Sequence, residues 1–381
     1  MTIHSKLPNV GTTIFTVMSQ LANTHNALNL SQGFPNFPSD QTLIDLVSKA
    51  SNNGYNQYAP MPGQLDLLLA IANKYQKLYN ASYHPDTEIT VTAGATQAIY
   101  CIISAFVKPD DEVIIFRPAY DCYEPAINLN GGKTVSVQLS APDYSVDWDE
   151  VQSKVSSKTR MIIINTPHNP SGTIWSESDM KALENLTNNT EIIVLSDEVY
   201  EHMVYDDAQH HSLCTFENLK ARSFITASFG KTFHNTGWKI GYTCAPSNLM
   251  AEFRKVHQFN VFSVHHPSQK GIADYMQDEQ TYLNLSSFFQ AKRDLFLNLI
   301  SDSKFKFKPS KGTYFQVLDF SNITDEHDVD FAKRLTKDFK IASIPLSVFN
   351  VDGKDDKVLR FCFAKTDETL IKASEILCQI K

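Results

Sequence analysis

The sequence is short of glycine, which supplies 14 of 381 residues, about half of its usual share of roughly 7% in globular proteins. It contains six cysteines, and no two of them form a Cys-X-X-Cys pair. Cysteines spaced this widely are typical of reduced thiols rather than of a disulfide framework or a zinc site. We therefore expect a cytoplasmic protein that is stabilised by its hydrophobic core alone.

Long apolar runs and an excess of basic residues are also lacking. The longest apolar stretch, residues 98–107, is far shorter than the ~20 residues that a membrane helix needs. Residues 1–18 contain no apolar segment of the kind that marks a secretory signal. The 34 basic and 42 acidic side chains give a net charge of −8, which disfavours nucleic acid or an anionic membrane as the main partner.

Short β-branched runs alternate with longer helical patterns through the middle of the chain. Apolar runs of this length predict strands that are buried on both faces, as in a parallel sheet. Their alternation with helices predicts a doubly wound α/β domain. The predicted strands cover residues 88–92, 112–116, 133–138, 160–165, 192–196 and 223–228.

The pattern changes after about residue 267, where a long helical region is followed by mixed strands and helices. This change in the pattern of predicted elements is typical of a second, smaller α+β domain, and a chain of this length favours two domains. We expect both chain ends to build the smaller one. The predicted division is an arm over residues 1–14, a large domain over 42–270, and a small domain over 15–41 and 271–381.

Charged residues follow two of the predicted strands at the edge where such sheets bind ligands. Asp197 directly follows the apolar strand 192–196; a carboxylate there either pairs with a cation or metal, or caps a helix. Lys231 lies just after the strand 223–228, and a lysine withdrawn from water becomes a nucleophile able to form a Schiff base. Lys239 could then neutralise a phosphate.

Two further turns could contribute to a ligand site. The small residues at 93–96, between a strand and a helix, would let backbone N–H groups meet an anion, although tight packing explains them equally well. Asn169 lies between two prolines and would either donate to a ligand oxygen or satisfy its own backbone. The histidines show no ligand-like spacing, so no metal site is expected.

Three motifs, in chain order TPHNPSG (166–172), SDEVY (196–200) and SFGKTFHNTGWKIG (228–241), resemble the class I/II aminotransferases. These are pyridoxal phosphate (PLP) enzymes of the aspartate aminotransferase fold, fold type I. The motifs QGFP (32–35) and QYAPMPG (57–63), and Arg360 in LRFCFAK, agree with this. The resemblance runs from about residue 11 to the end. It is strongest to the branch of the kynurenine, glutamine and bacterial methionine aminotransferases, and it implies a large, mostly parallel seven-stranded sheet domain that binds PLP.

The resemblance implies a role for each matching residue. Lys231 would carry PLP and move the proton at the substrate Cα, while Asp197 would pair with the ring nitrogen. Tyr200, counted with these two as catalytic, would bond the phenolic oxygen of the cofactor together with Asn169. The other implied cofactor contacts are Ala95, Thr96, Tyr120, Ser228, Lys239 and, across a homodimer into the site of the partner subunit, Tyr58.

The implied substrate site centres on Arg360, which would clamp the α-carboxylate with its guanidinium fork. Gly33, Asn169 and Phe15 would complete this site. No second arginine is evident for a side-chain carboxylate. Phe15, Phe34, Tyr58 and Tyr120 instead suggest an aromatic, apolar pocket. We therefore expect a ping-pong aminotransferase that takes methionine by preference, or phenylalanine, tyrosine, tryptophan or kynurenine, and passes the amino group to a 2-oxo acid.

Two alternatives remain at this point. A β-lyase acting on cysteine S-conjugates would use the same PLP site, and it would release pyruvate and ammonia without an acceptor. The second alternative is a catalytically silent PLP-binding module, as in some regulators. A net charge of −8 and the lack of a DNA-binding extension count against it.

Overall fold

The computed structural model describes residues 4–381. Its helices are α1 (Ile14–His25), α2 (Gln41–Asn52), α3 (Leu65–Tyr79), α4 (Pro85–Glu88), α5 (Ala95–Phe106), α6 (Tyr123–Leu129), α7 (Trp148–Lys154), α8 (Glu177–Thr187), α9 (Glu217–Lys220), α10 (Phe229–Thr232), α11 (Ser247–Asn260), α12 (His266–Tyr275), α13 (Gln280–Leu283), α14 (Leu285–Leu299), α15 (Asp328–Asp338) and α16 (Asp367–Gln379). Its strands are β1 (Leu28–Asn29), β2 (Ile89–Thr92), β3 (Glu112–Arg117), β4 (Lys133–Gln138), β5 (Thr159–Asn165), β6 (Ile193–Asp197), β7 (Ser223–Ser228), β8 (Gly241–Cys244), β9 (Phe315–Asp319), β10 (Ile341–Ala342), β11 (Ile344–Pro345) and β12 (Val358–Cys362).

Seven strands form the central sheet in the order β2-β8-β7-β6-β5-β3-β4. The strands from β7 to β4 are parallel to their neighbours, and β8 runs antiparallel to both β2 and β7. The predicted doubly wound, mostly parallel sheet of seven strands is confirmed. Within the described residues, no helix is both long and apolar enough to cross a membrane.

The sheet is apolar on both faces because successive side chains of a strand point to opposite sides. In β5, Ile162 and Ile164 join one hydrophobic cluster, and Met161 and Ile163 join the other. Helices cover both clusters, so the strands read as continuous apolar runs. This explains why the pattern of the sequence predicts six of the seven strands within a residue or two, whereas β8 is not predicted.

Three predicted elements differ from the structure. The expected strand 88–92 begins one residue later, at Ile89, because Glu88 ends the short helix α4, which starts at Pro85 and is capped by His84. The expected strand near 342–345 is two strands, since β10 pairs with β1 whereas β11 pairs with β12. The long helical region after 267 is divided into α12, α13 and α14.

Two small sheets bring the first 35 residues against the last third of the chain. The antiparallel sheet has the order β11-β12-β9, and β1 lies parallel to β10. The Cys362 N–H also donates to the Leu30 carbonyl at 2.8 Å. These links place the segment after β1 beside β12, which carries Arg360.

The division into arm, large and small domains stays a prediction. Its boundary at 14/15 lies inside α1, and its boundary at 270/271 lies inside α12, which packs against α2 and α3. Residues 1–3 of the predicted arm lie outside the described residues.

Candidate active site

A cavity of about 140 Å³ opens at the carboxyl ends of the central strands. Asn165 and Asp197 are register partners at the ends of β5 and β6, and Ser228 ends β7. Parallel strands deliver their last side chains to the same edge, so these residues meet. The cavity is lined by Gly94, Ala95, Thr96, Ile99, Tyr120, Asn165, Asn169, Asp197, Val199, Tyr200, Ser228, Gly230, Lys231, Thr236 and Lys239. Every predicted cofactor contact except Tyr58 is among these residues.

Asp197 is a buried carboxylate, 4% exposed. The Tyr123 hydroxyl donates to its Oδ2 at 2.7 Å, and the Val199 N–H reaches Oδ1 at 3.4 Å. Burial raises the pKa of Asp197 to about 6, although both hydrogen bonds oppose the rise. A turn and not a helix follows it, so the alternative of a helix cap does not hold. A protonated ring nitrogen is the kind of partner that would stabilise this carboxylate.

Lys231 lies in α10, one turn after β7. Its Nζ donates to the Gly33 carbonyl at 2.9 Å and to the Tyr314 hydroxyl at 3.0 Å. Burial lowers the pKa of Lys231 to about 8. A substantial fraction of this amine is therefore neutral just above physiological pH, and only a neutral amine attacks a carbonyl carbon.

The N-terminus of α5 and Lys239 together form an anion site. No side chain within the described residues caps α5, whose N-cap is Gly94 at φ +79°. A Cβ built on Gly94 would lie 3.2 Å from the Lys239 Nζ, so the cation stands directly over the helix start. Free N–H groups, the helix dipole and an ammonium all favour a phosphate here.

Arg360 lies behind this cavity rather than in its wall. It is 1% exposed, and its guanidinium donates to the Asn169 Oδ1 at 2.7 Å and to the Ser31 carbonyl at 3.0 Å. Its Cζ stacks 3.9 Å from the ring centroid of Phe315 and 5.2 Å from that of Phe15. The Nε has no hydrogen-bond partner among residues 4–381. Burial lowers the pKa of Arg360, so an incoming carboxylate would be a favourable partner.

Tyr58 lies outside the cavity. Its side chain is 82% exposed and packs edge-on against Phe262, with ring centroids 5.5 Å apart. Phe259, which lies close to Phe262 in the chain, is 87% exposed. In a single chain, Tyr58 therefore makes no contact with the residues that surround Lys231.

Three residues that bear on this site are not predicted from the sequence: Asn165, Tyr123 and Tyr314. Asn165 does have a sequence signal, because it ends the predicted strand 160–165, and the structure places it in register with Asp197. Tyr123 lies three residues after Tyr120, near the start of α6, and only the structure directs its hydroxyl to Asp197. Tyr314 precedes β9, and no local pattern connects that segment with Lys231.

A buried charge network lies behind the turn that carries Tyr200. Lys74 pairs with Glu201, and its Nζ also donates to the Tyr242 hydroxyl at 2.6 Å. The Tyr79 hydroxyl donates to the second oxygen of Glu201 at 3.0 Å. Burial alone would raise the pKa of Glu201, but the Lys74 charge holds it at about 2. This ion pair anchors the turn one residue after Tyr200.

His327, Asp328 and Asp355 are the group of potential metal ligands found within residues 4–381. Their atoms already have partners, because Asp328 accepts from the backbone and hydroxyl of Ser347 and Asp355 pairs with Lys357. The group is remote in the chain from the cavity residues, and it carries no argument for a metal.

Comparisons with known proteins agree with this geometry. A family model described as aminotransferase class I and II matches residues 25–377. The methionine aminotransferase of Escherichia coli (strain K12) is 46% identical over 377 residues, covering 99% of this chain and 98% of that protein. Human kynurenine–oxoglutarate transaminase 3 is 32% identical over 403 residues, covering 98% of this chain and 89% of that protein. The solved structure of Escherichia coli YbdL, with a methionine aminotransferase function, has a TM-score of 0.98 at 46% identity and full coverage of both chains.

Proposed function

Because the chain belongs to the class I and II aminotransferases, we propose that it uses PLP to transfer the amino group of methionine, or of another apolar or aromatic L-amino acid, to a 2-oxo acid. The observation that carries this proposal is the juxtaposition of a buried carboxylate, an amine of lowered pKa and a cationic helix N-terminus around one cavity. PLP offers a partner for each: a ring nitrogen, an aldehyde and a phosphate.

The described residues fit this cofactor. Asp197 would hold the proton of the ring nitrogen, and the α5 N-terminus with Ser228 and Lys239 would hold the phosphate. Tyr120 also lines the cavity and would stack on the ring. When bound, PLP supplies an aldehyde that condenses with amines and a ring that withdraws electrons from Cα.

The chain's own residues would then bind the amino acid and move its proton. Arg360 and Asn169, already joined by a hydrogen bond, would orient the α-carboxylate. The released Lys231 amine would take the Cα proton and deliver it to the C4′ carbon of the cofactor. Tyr200 would donate a hydrogen bond to the phenolic oxygen, since burial keeps the pKa of its hydroxyl far above neutrality.

The preference for an apolar side chain rests on the groove next to Tyr120. Arg117, which shares that groove, is held by Glu124 at 2.5 Å and by the Ser136 hydroxyl at 2.9 Å. It is therefore not free to receive a second carboxylate. Tyr120 lines this groove, and Phe15 lies beside Arg360. These aromatic rings favour an apolar side chain, which matches the methionine aminotransferase relative.

We also propose a homodimer in the cytoplasm. Tyr58, Phe259 and Phe262 expose aromatic surface that a second copy of the chain would bury, and Tyr58 would then reach the phosphate of the partner subunit's cofactor. The six cysteines are all free thiols, which suits a reducing compartment.

A half-reaction experiment tests the proposed activity. The purified protein with PLP is mixed with methionine, kynurenine, phenylalanine, glutamine or aspartate, without an acceptor, and cofactor absorbance is followed. We expect a stoichiometric oxo acid from methionine, and regeneration of the starting spectrum on adding a 2-oxo acid. Aspartate as the fastest donor would overturn the preference. Pyruvate and ammonia released from a cysteine S-conjugate, with no oxo acid from any donor, would overturn the transaminase assignment.

A further inference from the structure

Tyr314 contacts the amine that the proposed reaction uses. Its hydroxyl lies 3.0 Å from the Lys231 Nζ and 2.5 Å from the Gly33 carbonyl oxygen, and the Nζ itself lies 2.9 Å from that oxygen. The three groups form a closed triangle. Because a carbonyl oxygen can only accept, the Tyr314 proton points to Gly33 and the Tyr314 oxygen accepts from Lys231.

This triangle determines how the amine is oriented. A neutral amine has two N–H bonds and one lone pair, and an ammonium has three N–H bonds. The Gly33 carbonyl and the Tyr314 oxygen lie close together on one side of the Nζ and accept from the N–H bonds on that side. The lone pair of the neutral amine, or the transferable proton of the charged amine, is then left on the other side.

We propose that Tyr314 is a further catalytic residue, which together with the Gly33 carbonyl holds the released Lys231 amine from one side, so that its unbonded side faces the cavity. This role rests on the proposed function, because it concerns the step in which Lys231 is not bound to the cofactor. General acid–base transfer depends on such alignment, and a small misplacement lowers rates about 10²-fold.

The surroundings of the triangle leave it little freedom. Tyr314 is fully buried, and its ring packs against Tyr200, Phe289 and Phe315 with centroids 5.2, 5.6 and 4.9 Å apart. A Cβ on Gly33 would lie 2.8 Å from the ring of Phe315. Glycine is thus needed at position 33 for the chain to bring its carbonyl this close.

The test compares Tyr314→Phe with Tyr205→Phe. Tyr205 is a matched control, since it is also buried and its hydroxyl donates to a backbone carbonyl, that of Thr313, but not to Lys231. Thermal unfolding of both variants is measured first. Tyr314→His, which retains a ring acceptor, serves as the conservative variant and replaces Tyr314→Phe if that protein does not fold.

The first readout needs no bound cofactor. Lys231 of the apoenzyme is labelled with acetic anhydride across a pH series and quantified by peptide mass spectrometry. An oxygen acceptor stabilises the charged amine, so its removal in Tyr314→Phe leaves more neutral amine and accelerates labelling about 3- to 10-fold below pH 8. Tyr205→Phe should label like wild type.

The second readout is the methionine half-reaction of the PLP-loaded protein. Tyr314→Phe should slow it about 10- to 100-fold, with a larger effect of Cα deuteration, because proton transfer becomes more rate-limiting. Tyr314→His should recover part of the rate.

Labelling and half-reaction rates of Tyr314→Phe that both equal those of Tyr205→Phe would overturn the role of Tyr314. A wild-type protein that transaminates no amino acid, while the labelling difference persists, would instead overturn the proposed function. Unchanged labelling in a protein that does transaminate would count against Tyr314 alone.

Discussion

The two halves of the candidate site are built in different ways. Asp197, Ser228 and Lys231 lie at or just beyond the ends of neighbouring strands, so one sheet edge assembles them. Arg360, Gly33 and Tyr314 come from segments more than 45 residues apart in the chain, which the two small sheets bring together.

The halves also differ in how directly their charged groups face the cavity. Asp197 and the α5 N-terminus offer charge to a cavity, whereas Arg360 is already bonded to Asn169 and Ser31. The sheet edge is therefore prepared to receive a cofactor, and the other half must exchange its bonds to receive a substrate. We expect substitutions at the sheet edge, and of Tyr314, which contacts Lys231, to affect chemistry, and substitution of Arg360 to affect substrate affinity.

Lys231→Ala should have the largest effect. Removing both the nucleophile and the proton carrier should lower turnover by at least about 10⁴-fold. Steady-state oxo-acid formation measures this. Lys154→Ala, which removes a half-buried lysine that bonds the Ser136 carbonyl, is the control. Turnover near the wild-type rate would remove Lys231 from the mechanism.

Asp197→Asn should have the second-largest effect. It should lower kcat about 10²- to 10³-fold, because the ring nitrogen loses its anionic partner. The apoprotein should not lose stability. The folded pKa of Asp197 is raised to about 6, so its ionisation destabilises the fold as pH rises through 3.8 to 6, and asparagine removes that penalty. Stopped-flow rates and thermal unfolding at pH 8 measure the two effects.

Asp328→Asn is the control for Asp197→Asn, since Asp328 is also buried and hydrogen-bonded but lies outside the cavity. It should keep wild-type turnover. An equal loss of turnover in both variants would show a general effect of removing a buried carboxylate.

Arg360→Gln should raise KM for amino donors about 10- to 100-fold, because a charge-assisted hydrogen bond contributes roughly 1.5–3 kcal/mol. Cofactor absorbance should be unchanged. Arg334→Gln, which removes an arginine paired with Glu326, is the control. Loss of cofactor absorbance in Arg360→Gln would contradict the division of the site into two halves.

The smallest effect concerns pH. The pKa of Lys231 is lowered to about 8, chiefly by burial, so the amine is protonated below that pH and neutral above it. The rate at which apoenzyme captures PLP should therefore rise with pH and level off above about 8. Capture rates from stopped-flow absorbance between pH 6 and 10 measure this, and a midpoint near 10.5 would contradict the burial effect.

The sheet edge could be predicted because its signals are local. An apolar run that is followed at once by Asp197, or within three residues by Lys231, specifies both the strand and the residue beyond its end. The small-sheet half could be predicted only through family resemblance, as for Arg360 and Phe15. Tyr314 could not be found from local pattern, because its contact with Lys231 spans 83 residues and depends on how β9 is aligned.

The buried pair of Lys74 and Glu201 restricts how the protein can diverge. Removing either partner leaves an unpaired charge in the interior, which lowers the free energy of unfolding by about 3–5 kcal/mol. Replacing both partners with apolar side chains can leave that free energy unchanged. Selection should thus remove single substitutions at position 74 or 201 in any lineage that keeps the activity. Paired substitutions at the two positions should be tolerated. Among relatives, the two positions should change together or not at all.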